Sequence, residues 1–163
     1  MTEIERILEQ YDRVMQGDAW HGDPIWQILA RISAQCAARR PVADAHTIWE
    51  IVLHMMFWEG VAAQRLAGQR AGLEEALNFP SVPPATETNW QKTLEQFRAS
   101  NRELREALAK LDPARVDEQS AAGKRTFYDE AHGAIQHNVY HAGQIALLKK
   151  GFEAKHACDG GAV

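Results

Sequence analysis

Apolar positions recur every three or four residues along most of this 163-residue chain, and no stretch alternates as a strand would. Ile4, Ile7, Leu8, Tyr11 and Val14 or Met15 share one face of a first helix from about Glu3 to Gln16, which Gly17 ends. After the loop Asp18-Ala19-Trp20-His21-Gly22-Asp23, Pro24 suits the start of a short segment from Ile25 to about Gln35, since its missing N–H costs nothing there. Thr47-Ile48-Trp49-Glu50 reads as a capping box, and the helix it opens should reach Leu66, before Gly68. Pro80, Pro83 and Pro84 cannot continue a helix. The resulting connection between Gly68 and Thr88 is long for antiparallel neighbours and suits an overhand crossover between parallel ones. A further helix spans about Asn89 to Leu111, with Thr88 as cap and Asp112-Pro113 as stop. The last runs from about Phe127 to Lys150, with Thr126 as cap, Lys149 and Lys150 complementing the dipole, and Gly151 as the C′ residue. The pattern predicts an all-α, four-helix bundle with one long crossover, a single domain over 1–151 and a flexible tail over 152–163.

Composition narrows the class. Apolar residues make up 45% and charged residues 25%, as in an ordinary globular protein, which excludes a disordered chain. A net charge of −4 supplies no field for nucleic acid or an anionic membrane, so neither is expected as a partner. Cys36 and Cys158 form no C-x-x-C pair; a small core residue and a tail thiol are the expectations. The acidic start Met1-Thr2-Glu3-Ile4-Glu5-Arg6 is unlike a secretory signal. The apolar stretch Ile51 to Trp58 is too short to span a bilayer, so a cytoplasmic location is expected.

Candidate chemistry lies in the histidines. His137 and His141 are four residues apart, hence about 40° apart around a helix and one turn along it, a spacing from which two imidazoles reach one ion. That spacing alone also fits surface histidines or satisfied core groups. The face shared with Ala134, Ile145 and Leu148 is apolar, and two unliganded imidazoles buried together are costly. His54 lies on the stripe Ile51, Met55, Trp58 and Ala62, again apolar. A lone histidine there is more often a satisfied core group, but beside a second inward pair a ligand fits better. Three neutral imidazoles leave coordination positions open, as in catalytic rather than structural sites. There is no H-E-x-x-H, no pair of Glu-x-x-His helices, no phosphate-binding glycine loop and no G-x-S-x-G elbow.

His54 followed far downstream by His137-Asn138-Val139-Tyr140-His141-Ala142-Gly143-Gln144-Ile145 resembles the DinB/YfiT-like superfamily of metal-dependent proteins. Trp20-His21-Gly22, His46-Thr47-Ile48-Trp49-Glu50 and the Gly68 turn add to the likeness, which reaches Gly151. The resemblance implies an up-down-down-up four-helix bundle. It further implies one divalent metal ion (nickel, zinc or iron) on His54, His137 and His141, and a homodimer. Relatives of this kind include transferases and isomerases that use low-molecular-weight thiols. The functional expectation is therefore an enzyme activating water or such a thiol; a non-catalytic module whose ion is structural is the alternative.

The remaining residues carry weaker expectations. Trp49, Met55, Met56, Phe57 and Trp58 make their helix apolar almost all round, which suggests a partly covered outer face in a dimer. His132 should face away from His137, while His46 and His156 should be inert and His21 should serve its loop. Glu130 shares the His137 face two turns earlier, as a general base or, more simply, a solvated acid. Tyr140 and Gln144 are pocket neighbours. Arg65 is the one candidate anchor for the carboxylate of a thiol.

Overall fold

The computed structural model describes residues 1–71 and 77–153. Six helices occur among them: α1 Glu3–Gln16, α2 Ile25–Leu29, α3 Ala34–Ala38, α4 Ile48–Leu66, α5 Glu87–Lys110 and α6 Phe127–Glu153. No strand is found among the described residues; Gln119 and Thr126 make one isolated bridge. None of these helices is long and apolar enough to cross a membrane.

Local chemistry explains most of the starts. Thr2 and Glu5 cap α1 reciprocally, and Thr47 and Glu50 do the same for α4, each hydroxyl accepting an N–H that lacks a helical partner. Thr126 Oγ1 accepts from the Asp129 N–H at 3.1 Å while Asp129 accepts from the Thr126 N–H, fixing the start of α6.

Three boundaries differ from expectation. The segment after Pro24 is two short helices, because Ser33 caps a new helix through the Cys36 N–H and Arg31 takes a φ of 65° between them. The third long helix begins two residues early, with Thr86 rather than Thr88 as the cap. Gly151 lies inside α6 rather than ending it: Phe152 is 1% exposed, and its burial carries the helix over the glycine. The domain edge expected at 151 therefore falls within a helix, and the tail beyond 153 lies outside the described residues. Cys36 is buried as expected but is disulfide-bonded rather than a thiol, and Cys158 lies outside the described residues.

Four long helices enclose the core. α4 packs on α5 and α6, and α1 packs on the same two, closing a ring. Trp49 meets Trp90 and Thr93 near the starts of α4 and α5, and Glu59 meets Ser100 and Asn101 farther along both. These two helices thus run in the same sense, as an overhand crossover requires. Along α6 the order is reversed: His54 faces His137 and His141, and Arg65, farther along α4, faces the earlier Glu130. The buried indoles keep their N–H groups satisfied, Trp49 by Thr93 and Trp90 by the Ile32 carbonyl.

Candidate metal centre

The antiparallel crossing of α4 and α6 brings His54 against the His137–His141 pair. His54 Nε2 lies 3.0 Å from His137 Nε2, and His141 Nε2 lies 3.1 Å from the same atom. One ring nitrogen from each of the three lies within 4.8 Å of the others. Nitrogens about 2.0–2.1 Å from a tetrahedral ion stand roughly 3.3 Å apart, so the spacing suits a shared cation with little movement.

The outward nitrogens are also committed. His54 Nδ1 donates to the Asn78 carbonyl at 2.8 Å, and His141 Nδ1 faces Gln144 Oε1 at 2.7 Å. A carbonyl oxygen only accepts, so both rings carry their proton on Nδ1 and present an Nε2 lone pair inward. His137 Nε2 has one N–H at most and cannot satisfy both neighbours. A cation satisfies all three, and this donor set fits one. Burial, then the facing His141 and His54, pushes His137 down to about 3. His54 and His141 are also lowered, chiefly by burial. Neutral imidazoles are the form that ligates.

The crossover completes the surroundings. Phe79 stacks on His54 with ring centroids 4.2 Å apart, and His46 stacks on Phe79 at 3.7 Å. Asn78 accepts the Trp58 Nε1–H through Oδ1 at 2.8 Å while its carbonyl holds His54. His46, expected to be inert, thus supports the aromatic that covers a candidate ligand. Neither Asn78 nor Phe79 stood out in the sequence, because contacts of a long connection depend on its path.

Glu59 was also missed. It is 2% exposed and accepts hydrogen bonds from Tyr11 Oη at 3.1 Å, Asn101 Nδ2 at 2.6 Å, Asn138 Nδ2 at 2.9 Å and Ser100 Oγ. Burial raises its carboxyl above the usual range, and burial followed by the Glu59 charge raises the Tyr11 phenol. Its sequence signal was an acid on the apolar stripe of Val52, Met55, Ala62 and Leu66.

A cavity of about 240 Å³ extends from His137 and Asn138 past Trp58, Val61 and Ala134 to Arg65, Arg125 and Glu130. Glu130 is buried, not a solvated acid: Arg65 pairs with it at 3.2 Å and Ser120 Oγ donates to it at 3.3 Å. Gln144 orients His141, as a pocket neighbour would, whereas Tyr140 is mostly exposed with its ring 5.0 Å from that of His141. His132 packs on Tyr128, away from the cluster, and His21 is exposed in its loop. His156 lies outside the described residues.

No curated protein and no solved structure matches the chain. A sequence profile of the DinB superfamily matches residues 19–145, a span that holds His54, His137 and His141. That match covers most of the chain and agrees with the helical fold and the histidine cluster: the protein belongs to the DinB superfamily.

Proposed function

We propose that His54, His137 and His141 bind one divalent metal ion, nickel, zinc or iron, and that the protein is a metal-dependent enzyme acting on water or a low-molecular-weight thiol. The single observation that carries this reading is three ring nitrogens converging with more lone pairs than protons to share among them. When bound, such an ion supplies Lewis acidity, which lowers the pKa of a coordinated water or thiol toward neutrality. The chain's residues do the rest. Asn78 and Gln144 fix the ring tautomers, and Phe79 shields one face of His54. Three ligands leave room for a reactant, and the cavity beginning at His137 gives it a place to lie. A fourth protein ligand would favour the non-catalytic reading; among the described residues the cluster contains three.

The overall topology fits the same reading. The parallel α4–α5 pair and the antiparallel α4–α6 pair support an up-down-down-up bundle, with the ligands on its second and fourth long helices. A homodimer in the cytoplasm is part of the proposal; Leu53, Met56 and Phe57 on α4 are only partly buried and offer an apolar face for a partner.

Elemental analysis of the purified protein tests the centre. About one equivalent of metal is expected in the wild type, and much less in His137→Ala and His141→Ala. Metal content unchanged in both variants removes the assignment. A panel of thiol cofactors with electrophilic substrates, assayed on metal-loaded protein, then tests catalysis.

A further inference from the structure

The cavity beside the histidines adjoins a second recess lined by Trp58, Arg65, Arg70, Lys124, Arg125 and Glu130, and the two share Trp58, Arg65, Arg125 and Glu130. Taken as one passage, their lining runs from the exposed Arg70 and Lys124 to His137. Its charge is lopsided. Four cations face one carboxylate in the outer part, although the whole chain carries a net charge of −4. Glu130 is already neutralised by Arg65, and Asp129 is the acidic neighbour of Arg125. Glu59, at the inner end, is turned to its own four donors. Arg65 reaches Glu130 with Nη1 alone, and its buried Nε has no acceptor among the described residues. Such a donor is costly unless something else satisfies it. Farther in, Val61, Ala62 and Ala134 make the wall apolar.

We infer that the passage takes a small organic anion, its carboxylate or phosphate held by Arg65, Arg70, Lys124 and Arg125 and its apolar body directed along the cavity toward His137. Guanidinium groups match the planar, two-oxygen edge of either anion, and a partly enclosed setting strengthens each contact. The volume of about 240 Å³ equals roughly eight water molecules, enough for a single aromatic ring or a short chain but not for a macromolecule. This inference rests on the histidine cluster being the reactive centre, because that is what gives the inner end of the passage a purpose.

Calorimetric titration of the purified protein with benzoate, phenyl phosphate and neutral benzamide, at one ionic strength, tests it. Benzoate or phenyl phosphate should bind at least tenfold more tightly than benzamide, and the tighter of the two tells carboxylate from phosphate. The triple variant Arg70→Gln, Lys124→Gln, Arg125→Gln alters exposed side chains only, so the fold is kept. It should lose at least tenfold toward the anions and nothing toward benzamide. Equal binding of benzoate, phenyl phosphate and benzamide, or anion binding unaltered in the triple variant, overturns the inference. His137→Ala separates the two proposals: it should lose metal yet retain preferential anion binding. Anion binding that disappears in His137→Ala while surviving the triple variant also overturns the inference, whatever the metal content shows.

Discussion

At Glu59, donors from three other helices converge on one carboxylate; five residues earlier, at His54, three nitrogens converge on one another. Both clusters place polar groups between long helices, and both bear a desolvation cost. They differ in what the chain supplies. Tyr11, Ser100, Asn101 and Asn138 leave the Glu59 oxygens well provided, even though Asn101 Oδ1 and Asn138 Oδ1 have no donor among the described residues, so the carboxylate itself belongs to the architecture. Two of the imidazoles, His54 and His141, spend their protons outward on Asn78 and Gln144 and turn lone pairs toward His137, whose single N–H cannot satisfy both. A cluster short of protons in this way is one that a metal ion could complete.

The sharpest way to break the comparison is to add a divalent metal ion. At a free metal concentration about a thousandfold above the dissociation constant, binding should raise the unfolding free energy by about 4 kcal/mol, and by nothing in His137→Ala. Denaturant titrations with and without metal measure this, and equal gains in both proteins would contradict the open-cluster reading. Next in size, Glu59→Ala takes the shared acceptor from four donors, two of them the buried amides of Asn101 and Asn138, and should cost about 3 kcal/mol. Metal stoichiometry should nevertheless stay near one, since Glu59 is no ligand.

Acid distinguishes the clusters in a third way. His137 is pushed down to about 3, from 6.5 when unfolded, so the unfolded chain takes up a proton first as pH falls. The stability linked to its neutral ring is complete above about 6.5 and disappears between 6.5 and about 3. Metal-free protein should therefore show falling urea midpoints across that window, with a shallower slope in His137→Ala. The smallest effect expected is that of Tyr11→Phe, about 1 kcal/mol, because Glu59 keeps its other donors.

Much of this was legible in the amino-acid order, for local reasons. α1 and α4 begin and end where the apolar repeat, Gly17 and the capping box of Thr47 and Glu50 place them, since such signals act within about one turn. His137 and His141 were legible through spacing, and His54 through its stripe. What escaped depends on distant atoms. Gly151 looked like a helix end until the burial of Phe152 overruled it, and Ser33 was a cap hidden inside an apolar run. Glu59 showed only as an acid on an apolar stripe, because its four donors sit on segments up to 79 residues away. Arg65 and Glu130 were noticed singly, whereas their pairing required α4 and α6 to run in opposite directions.

The stack of His46, Phe79 and His54 has a practical meaning for protein engineering. Long surface connections ordinarily tolerate added residues because their ends alone are constrained. Here the stretch around Asn78 and Phe79 grips a candidate ligand by a carbonyl and a ring, so one residue inserted just before Asn78 would turn both aside. Changes to this strap should be felt first at the histidines and only later in the stability of the helices it joins.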